Sequence, residues 1–98
     1  MSLNRHNPKR DANELAIVEA LRAKNYLVYR LDQPVDLLVG RRGSPRWALI
    51  EVKMPGKGLT EKQIRFWAET EGTTRFIVHD AEEALRVCNV WIDHCADH

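Results

Sequence analysis

The sequence predicts an α/β domain of the α+β kind, a small four-stranded sheet flanked by helices in the order αβββαβα. Three observations predict it. Short runs rich in β-branched and aromatic residues are interspersed with stretches of helical periodicity. Each helical stretch opens on a polar capping signal. Glycines and prolines gather where one element should give way to the next. The 98 residues make one small domain, with 1–10 expected to be a flexible basic arm and 11–98 the folded unit.

The first helix is expected from Asp11 to about Asn25. Leu15, Ile17, Val18 and Leu21 form an apolar stripe, and Asp11-Ala12-Asn13-Glu14 fits a capping box. Tyr26 to Leu31 reads as a strand. Val35 to Arg41 reads as a second strand and Arg46 to Met54 as a third. The short Gly43-Ser44-Pro45 connection makes these two an antiparallel hairpin. After the loop Pro55-Gly56-Lys57-Gly58, Thr60-Glu61-Lys62-Gln63 is a second capping box, opening a helix that Gly72 stops. Thr74 to Val78 is the fourth strand. Asp80-Ala81-Glu82-Glu83 opens the last helix with a third box, and Leu85, Cys88, Trp91, Ile92 and Cys95 recur along one face of it.

Composition excludes several classes. With 44% hydrophobic and 30% charged residues the chain is neither disordered nor fibrous. No apolar run approaches the ~18–20 residues that span a bilayer, so no membrane role is expected. The first ten residues lack the apolar segment of a signal peptide. Two cysteines without such a signal suit a reducing, cytoplasmic setting. Net charge is only +1, but residues 1–65 hold 13 Lys and Arg against 7 Asp and Glu, and residues 66–98 hold 2 against 7. That asymmetry fits one face turned toward a polyanion, or ordinary patchiness.

Three charges interrupt the predicted strands: Asp36 in the second, Glu51 and Lys53 in the third. Side chains alternate across a strand, so Glu51 and Lys53 share a face with Trp47 and Leu49, which turns from apolar to charged partway along. Pairing of the hairpin would bring Asp36 near them. Two carboxylates held together repel, which favours a shared proton or a divalent cation between them. Oxygen donors of this kind suit Mg²⁺ or Mn²⁺, which keep several waters. Such a site suits phosphodiester hydrolysis, with Lys53 beside the nucleophile. Relief of the repulsion predicts that removing Asp36 leaves the fold intact or more stable. The competing reading is a structural ion pair with a spare carboxylate.

Arg41, Arg42, Arg46, Lys57, Lys62 and Arg65, with Lys9 and Arg10 of the arm, are candidate phosphate contacts. Cys88, His94, Cys95 and His98 match no common zinc spacing. His79 reads as a loop or edge residue, and Trp67 as core.

Asp36, Glu51 and Lys53 resemble the signature of the PD-(D/E)XK nucleases, with Val35-Asp36 in place of Pro-Asp. The stretches Lys9-Arg10-Asp11-Ala12-Asn13-Glu14, Pro34 to Gly40, Ile50-Glu51-Val52-Lys53 and Leu59-Thr60-Glu61-Lys62-Gln63 resemble the virus-type replication-repair nuclease (VRR-NUC) branch, over roughly residues 9–87. The resemblance implies a restriction-endonuclease-like αβββαβ core with a mixed sheet. It implies Asp36, Glu51 and the Val52 carbonyl as metal ligands, with Glu14 nearby, Lys53 as catalytic lysine and Gln63 as its support. It further implies a Mg²⁺- or Mn²⁺-dependent DNA endonuclease of structured or branched DNA such as a four-way junction, working as a homodimer without a small-molecule cofactor. The setting would be a bacterium or a phage-infected host. The alternatives are a non-catalytic nucleic-acid-binding module and a phage accessory module of the same fold. Glu14 and Gln63 are each also explained by helix capping.

Overall fold

The computed structural model describes residues 12–94. The basic arm with Lys9 and Arg10, the Asp11 cap, Cys95 and His98 lie outside the described residues. The elements are α1 (Glu14–Ala23), β1 (Leu27–Arg30), β2 (Leu37–Gly40), β3 (Ala48–Val52), α2 (Glu61–Glu69), β4 (Arg75–Val78) and α3 (Ala81–Cys88), which runs on into a π-helical segment, Asn89–Asp93. The strands form one mixed sheet in the order β1-β2-β3-β4. β1 with β2 and β2 with β3 are antiparallel, and β3 with β4 is parallel across the α2 crossover. The fold is therefore a mixed four-stranded sheet flanked by helices in an α+β arrangement. Among the described residues no helix is long and apolar enough to cross a membrane.

One face of the sheet makes the core. Val28, Leu37, Val39, Ala48, Ile50, Val52 and Val78 pack there against Ile17, Val18 and Leu21 of α1, Ala84 and Cys88 of α3, and Ile92. Cys88 is fully buried, and burial pushes its thiol up to about 12, so this sulfur packs as an apolar group.

The stripe of α1 differs from the expected one. Its buried residues are Glu14, Ile17, Val18 and Leu21, while Leu15 stays 54% exposed. Positions 14, 17, 18 and 21 follow the three-four spacing of one helix face, and position 15 lies off it. A charge therefore holds the place that periodicity gave to a leucine. α1 ends in a Schellman motif. Asn25 is left-handed at φ 70°, its N–H donates to the Arg22 carbonyl at 2.9 Å, and the Tyr26 N–H reaches the Leu21 carbonyl at 3.1 Å.

The opposite face of the sheet carries α2, which buries none of its residues. Tyr29 and Trp47 on this face are 54% and 40% exposed, and Ile64 of α2 is 56% exposed. The Trp47 ring lies over Gly40, where a Cβ would come within 2.5 Å of it. The residue at that position has to be glycine for the indole to lie flat on the sheet.

A polar cluster ties the far end of the sheet to the π-helical segment. The Tyr26 hydroxyl donates to Asp93 Oδ2 at 2.7 Å, Arg41 Nε donates to Asp93 Oδ1 at 2.6 Å, and the Arg41 guanidinium lies 3.9 Å over the Tyr26 ring. Burial alone would raise the Asp93 carboxyl, but donation from Arg41 and Tyr26 outweighs it and holds the group below its usual range. Burial, then the bond to Asp93, pushes the Tyr26 phenol up from 10.0 to about 12. A raised folded-state value means a contribution fully present below pH 10 and lost as pH rises through the folded value. We therefore expect Tyr26→Phe to lower stability at neutral pH by about 1 kcal/mol, the worth of one hydrogen bond. That deficit should shrink as pH is raised from 10 toward about 12. Urea midpoints measured across this range check it, and a constant deficit would exclude the bond.

Candidate functional site

The ladder register explains why the interrupting charges meet. Leu37 pairs with Ile50 and Leu38 with Leu49. Extended by one residue, this register sets Asp36 opposite Glu51 on the face that carries α2. Asp36 stands just before β2 and Lys53 just after β3, so the three charges mark the end of the hairpin rather than its middle. Both expected strands are shorter than their apolar runs for that reason.

Asp36 replaces a missing rung of the ladder. The Val52 N–H points toward β2, where the ladder has ended, and donates to Asp36 Oδ2 at 2.8 Å. The Asp36 carbonyl accepts the Leu31 N–H at 2.7 Å. The carboxylate therefore has a backbone duty as well as its charge. The expected gain in stability on removing it does not follow, because Val52 is only 2% exposed and its N–H would be orphaned.

Glu51 is 3% exposed. Its Oε2 accepts from Gln63 Nε2 at 2.8 Å and lies 3.8 Å from Lys53 Nζ. A buried carboxylate needs such partners to offset its lost hydration. Gln63 does two jobs. Its Oε1 accepts the Thr60 N–H at 2.9 Å while Thr60 Oγ1 accepts the Gln63 N–H, the complete capping box. Its amide nitrogen remains to hold Glu51. The capping and site readings of Gln63 thus hold together, and the positive end of α2 lies beside the carboxylate.

Glu14 enters from the other face. Its Oε2 pairs with Arg30 Nε at 3.0 Å, at the end of β1. No side-chain cap forms at the helix start: Asn13 is the N-cap, and its Nδ2 instead donates to the carbonyls of Lys53 and His79, at 3.2 and 2.5 Å. Asn13 thereby ties α1 to the ends of β3 and β4. Among the described residues no three His, Cys, Asp or Glu side chains gather for a metal ion. Asp36, Glu51 and the Val52 carbonyl are oxygen donors at this end. Two carboxylates suit a hard divalent ion that keeps its waters, so these residues fit Mg²⁺ or Mn²⁺ as a small donor set, with Glu14 held by Arg30.

The basic residues divide between the two ends of the sheet. Lys57 is exposed in the loop after β3, and Lys62 and Arg65 are exposed on α2. Arg41 stands at the far end of β2, about 16 Å along the strand from Asp36, bound to Asp93. Arg42 follows it in the turn, and Arg46 lies over the Trp91 ring at 4.0 Å. The structure does not bring Arg41, Arg42 and Arg46 to the charged end.

Sequence reasoning missed Asn13, Arg30 and the pair His79 and Glu83. Arg30 carried a signal: a cation closing an apolar strand asks for a carboxylate partner. At the third box, Asp80 caps the Glu83 N–H at 2.8 Å as expected, but Glu83 Oε1 turns to the His79 N–H and to its ring Nδ1, both at 2.9 Å.

Fold and site together define an α+β domain with a carboxylate pair, a lysine and a glutamine at the end of an antiparallel hairpin. No protein-family model, no curated protein and no solved structure matches the chain.

The double role of Gln63 predicts unequal effects in its capping box. Thr60→Ala should cost about 1 kcal/mol, the usual worth of an N-cap. Gln63→Ala should cost about 2–3 kcal/mol, because it also strips a donor from a buried carboxylate. Equal shifts in urea midpoint would show that the bond to Glu51 contributes nothing.

Proposed function

We propose that the chain is a Mg²⁺- or Mn²⁺-dependent DNA endonuclease of the PD-(D/E)XK kind, with a VRR-NUC-like, restriction-endonuclease-like core. What carries the proposal is one observation: Glu51, 3% exposed, lies 3.8 Å from Lys53 Nζ and opposite Asp36 at the end of the hairpin. A purely structural strand end would be served by apolar or solvated residues.

In this reading Asp36, Glu51 and the Val52 carbonyl would hold the ion. When bound, it supplies Lewis-acid stabilisation of the phosphate and a more acidic water. Lys53 Nζ holds a positive charge on the same face as the carboxylates, where charge grows on the phosphate during attack. Gln63 fixes the rotamer of Glu51 and so its distance from Lys53. Lys57, Lys62 and Arg65 lie on the side from which a phosphate backbone would approach. The substrate is duplex or branched DNA, cut by a homodimer that presents two such ends, in the cytoplasm of a bacterium or phage-infected host.

One observation favours a second reading, a non-catalytic binding module. Asp36 and Glu51 are both engaged by protein donors, as in a structural network.

Labelled duplex, flap and four-way junction DNA, incubated with Mg²⁺ or Mn²⁺, separates the two. Cleavage should fall at least about a hundredfold in Glu51→Ala and Lys53→Ala and stop with EDTA. Asp36→Asn keeps the acceptor for Val52 and should lose cleavage with little loss of stability. Asp36→Ala should lose both, by about 1–3 kcal/mol for the orphaned N–H. Wild-type rates in Asp36→Asn would refute the site, and binding without cleavage, indifferent to EDTA, would establish the module.

DNA affinity should fall steeply with salt, with a log–log slope of about −0.9 per phosphate contacted. Lys57→Ala and Lys62→Ala should each flatten that slope by about one. Arg41→Ala should leave it unchanged, because its guanidinium serves Asp93. Titrations by fluorescence anisotropy at several salt concentrations check this.

A further inference from the structure

A groove of about 330 Å³ opens beside Gln63, between α2 and the loop joining β1 to β2. Pro34 and Asp32 line one wall, and Lys62, Gln63, Arg65, Phe66 and the acidic Glu69 line the other. Its volume lies within the roughly 300–1,000 Å³ of small-ligand pockets. Gln63 belongs to both places: it lines the groove and holds Glu51 at 2.8 Å. Gln63 therefore sets the groove next to the charged end.

We propose that the groove is a subsite for one unpaired nucleobase, flanking the phosphate at the charged end. The inference rests on the nucleic-acid reading above and deepens it. The lining has the parts that such a ligand needs. Phe66 and Pro34 supply apolar surface for a base face, the means by which single strands are held without sequence preference. Lys62 and Arg65 supply charge for the sugar–phosphate beside it. A base inside a duplex has both faces covered by its neighbours, so only an unstacked nucleotide can enter. The groove thus gives a physical reason for selecting branched, flapped or frayed DNA over continuous duplex.

The test needs neither metal nor cleavage. The probe is a short single strand in which one sugar carries 2-aminopurine and the others are abasic, compared in EDTA with a wholly abasic strand. The wild-type protein should bind the one-base strand about tenfold more tightly, the effect of one stacked base, with the 2-aminopurine emission quenched. Phe66→Ala and Phe66→Leu should bind both strands alike. The leucine variant keeps an apolar side chain, so loss of folding is not its explanation. Wild-type binding indifferent to the base, or a tenfold preference retained in Phe66→Leu, would overturn the proposal. Failure to cleave any DNA would sink the nuclease reading while leaving this preference measurable. Base-indifferent binding by an active nuclease would sink the subsite alone.

Discussion

The buried Glu51 carboxylate is the constraint around which one whole end of the molecule is arranged. An ion removed from water needs donors within reach, and the chain supplies them from two different elements. Lys53 comes from the same strand two residues on, and Gln63 comes from the first turn of α2. Asp36, across the hairpin, stays in place by accepting a backbone N–H that the shortened ladder would leave bare. Removing any of these would expose a cost already incurred elsewhere, which is why the charged end reads as a unit rather than as separate charges.

The two ends of the sheet use charge differently. At the far end, Arg41, Tyr26 and Asp93 satisfy one another and fasten the π-helical segment to the residue just after β2 and to Tyr26 just before β1. At the near end, basic side chains on the loop after β3 and on α2 stay exposed around an acidic centre. Net charge cannot distinguish these arrangements. The difference lies in whether a cation is matched inside the molecule or faces solvent.

Much of this was legible in the sequence, and the failures have physical causes. The element order, the antiparallel hairpin and the Thr60–Gln63 box followed from turn chemistry and capping, which are local. Asp36, Glu51 and Lys53 stood out because charge inside an apolar run is costly. Leu15 misled because periodicity was read from apolar residues alone, whereas the buried face of α1 begins with a glutamate that answers Arg30. Arg41 misled because its partner, Asp93, is 52 residues away and nothing in its neighbourhood announces it. The open face bearing Tyr29, Trp47 and α2 was hidden as well: strands with apolar residues on both sides look doubly covered, and only the packing shows which side the helices take.

The shallow seat of α2 has a consequence for how the molecule comes apart. Among its ties to the sheet are two polar ones, Gln63 on Glu51 and Arg75 Nη2 donating to the Trp67 carbonyl, and none of its residues is fully buried. Such a helix can lift away without opening the core formed by α1, α3 and the other face. Opening it breaks the Gln63–Glu51 bond but leaves that core closed, so its amides are expected to exchange with solvent before those of α1. The helix that braces the charged end is thus the element whose opening would unmake that end while the rest stays folded.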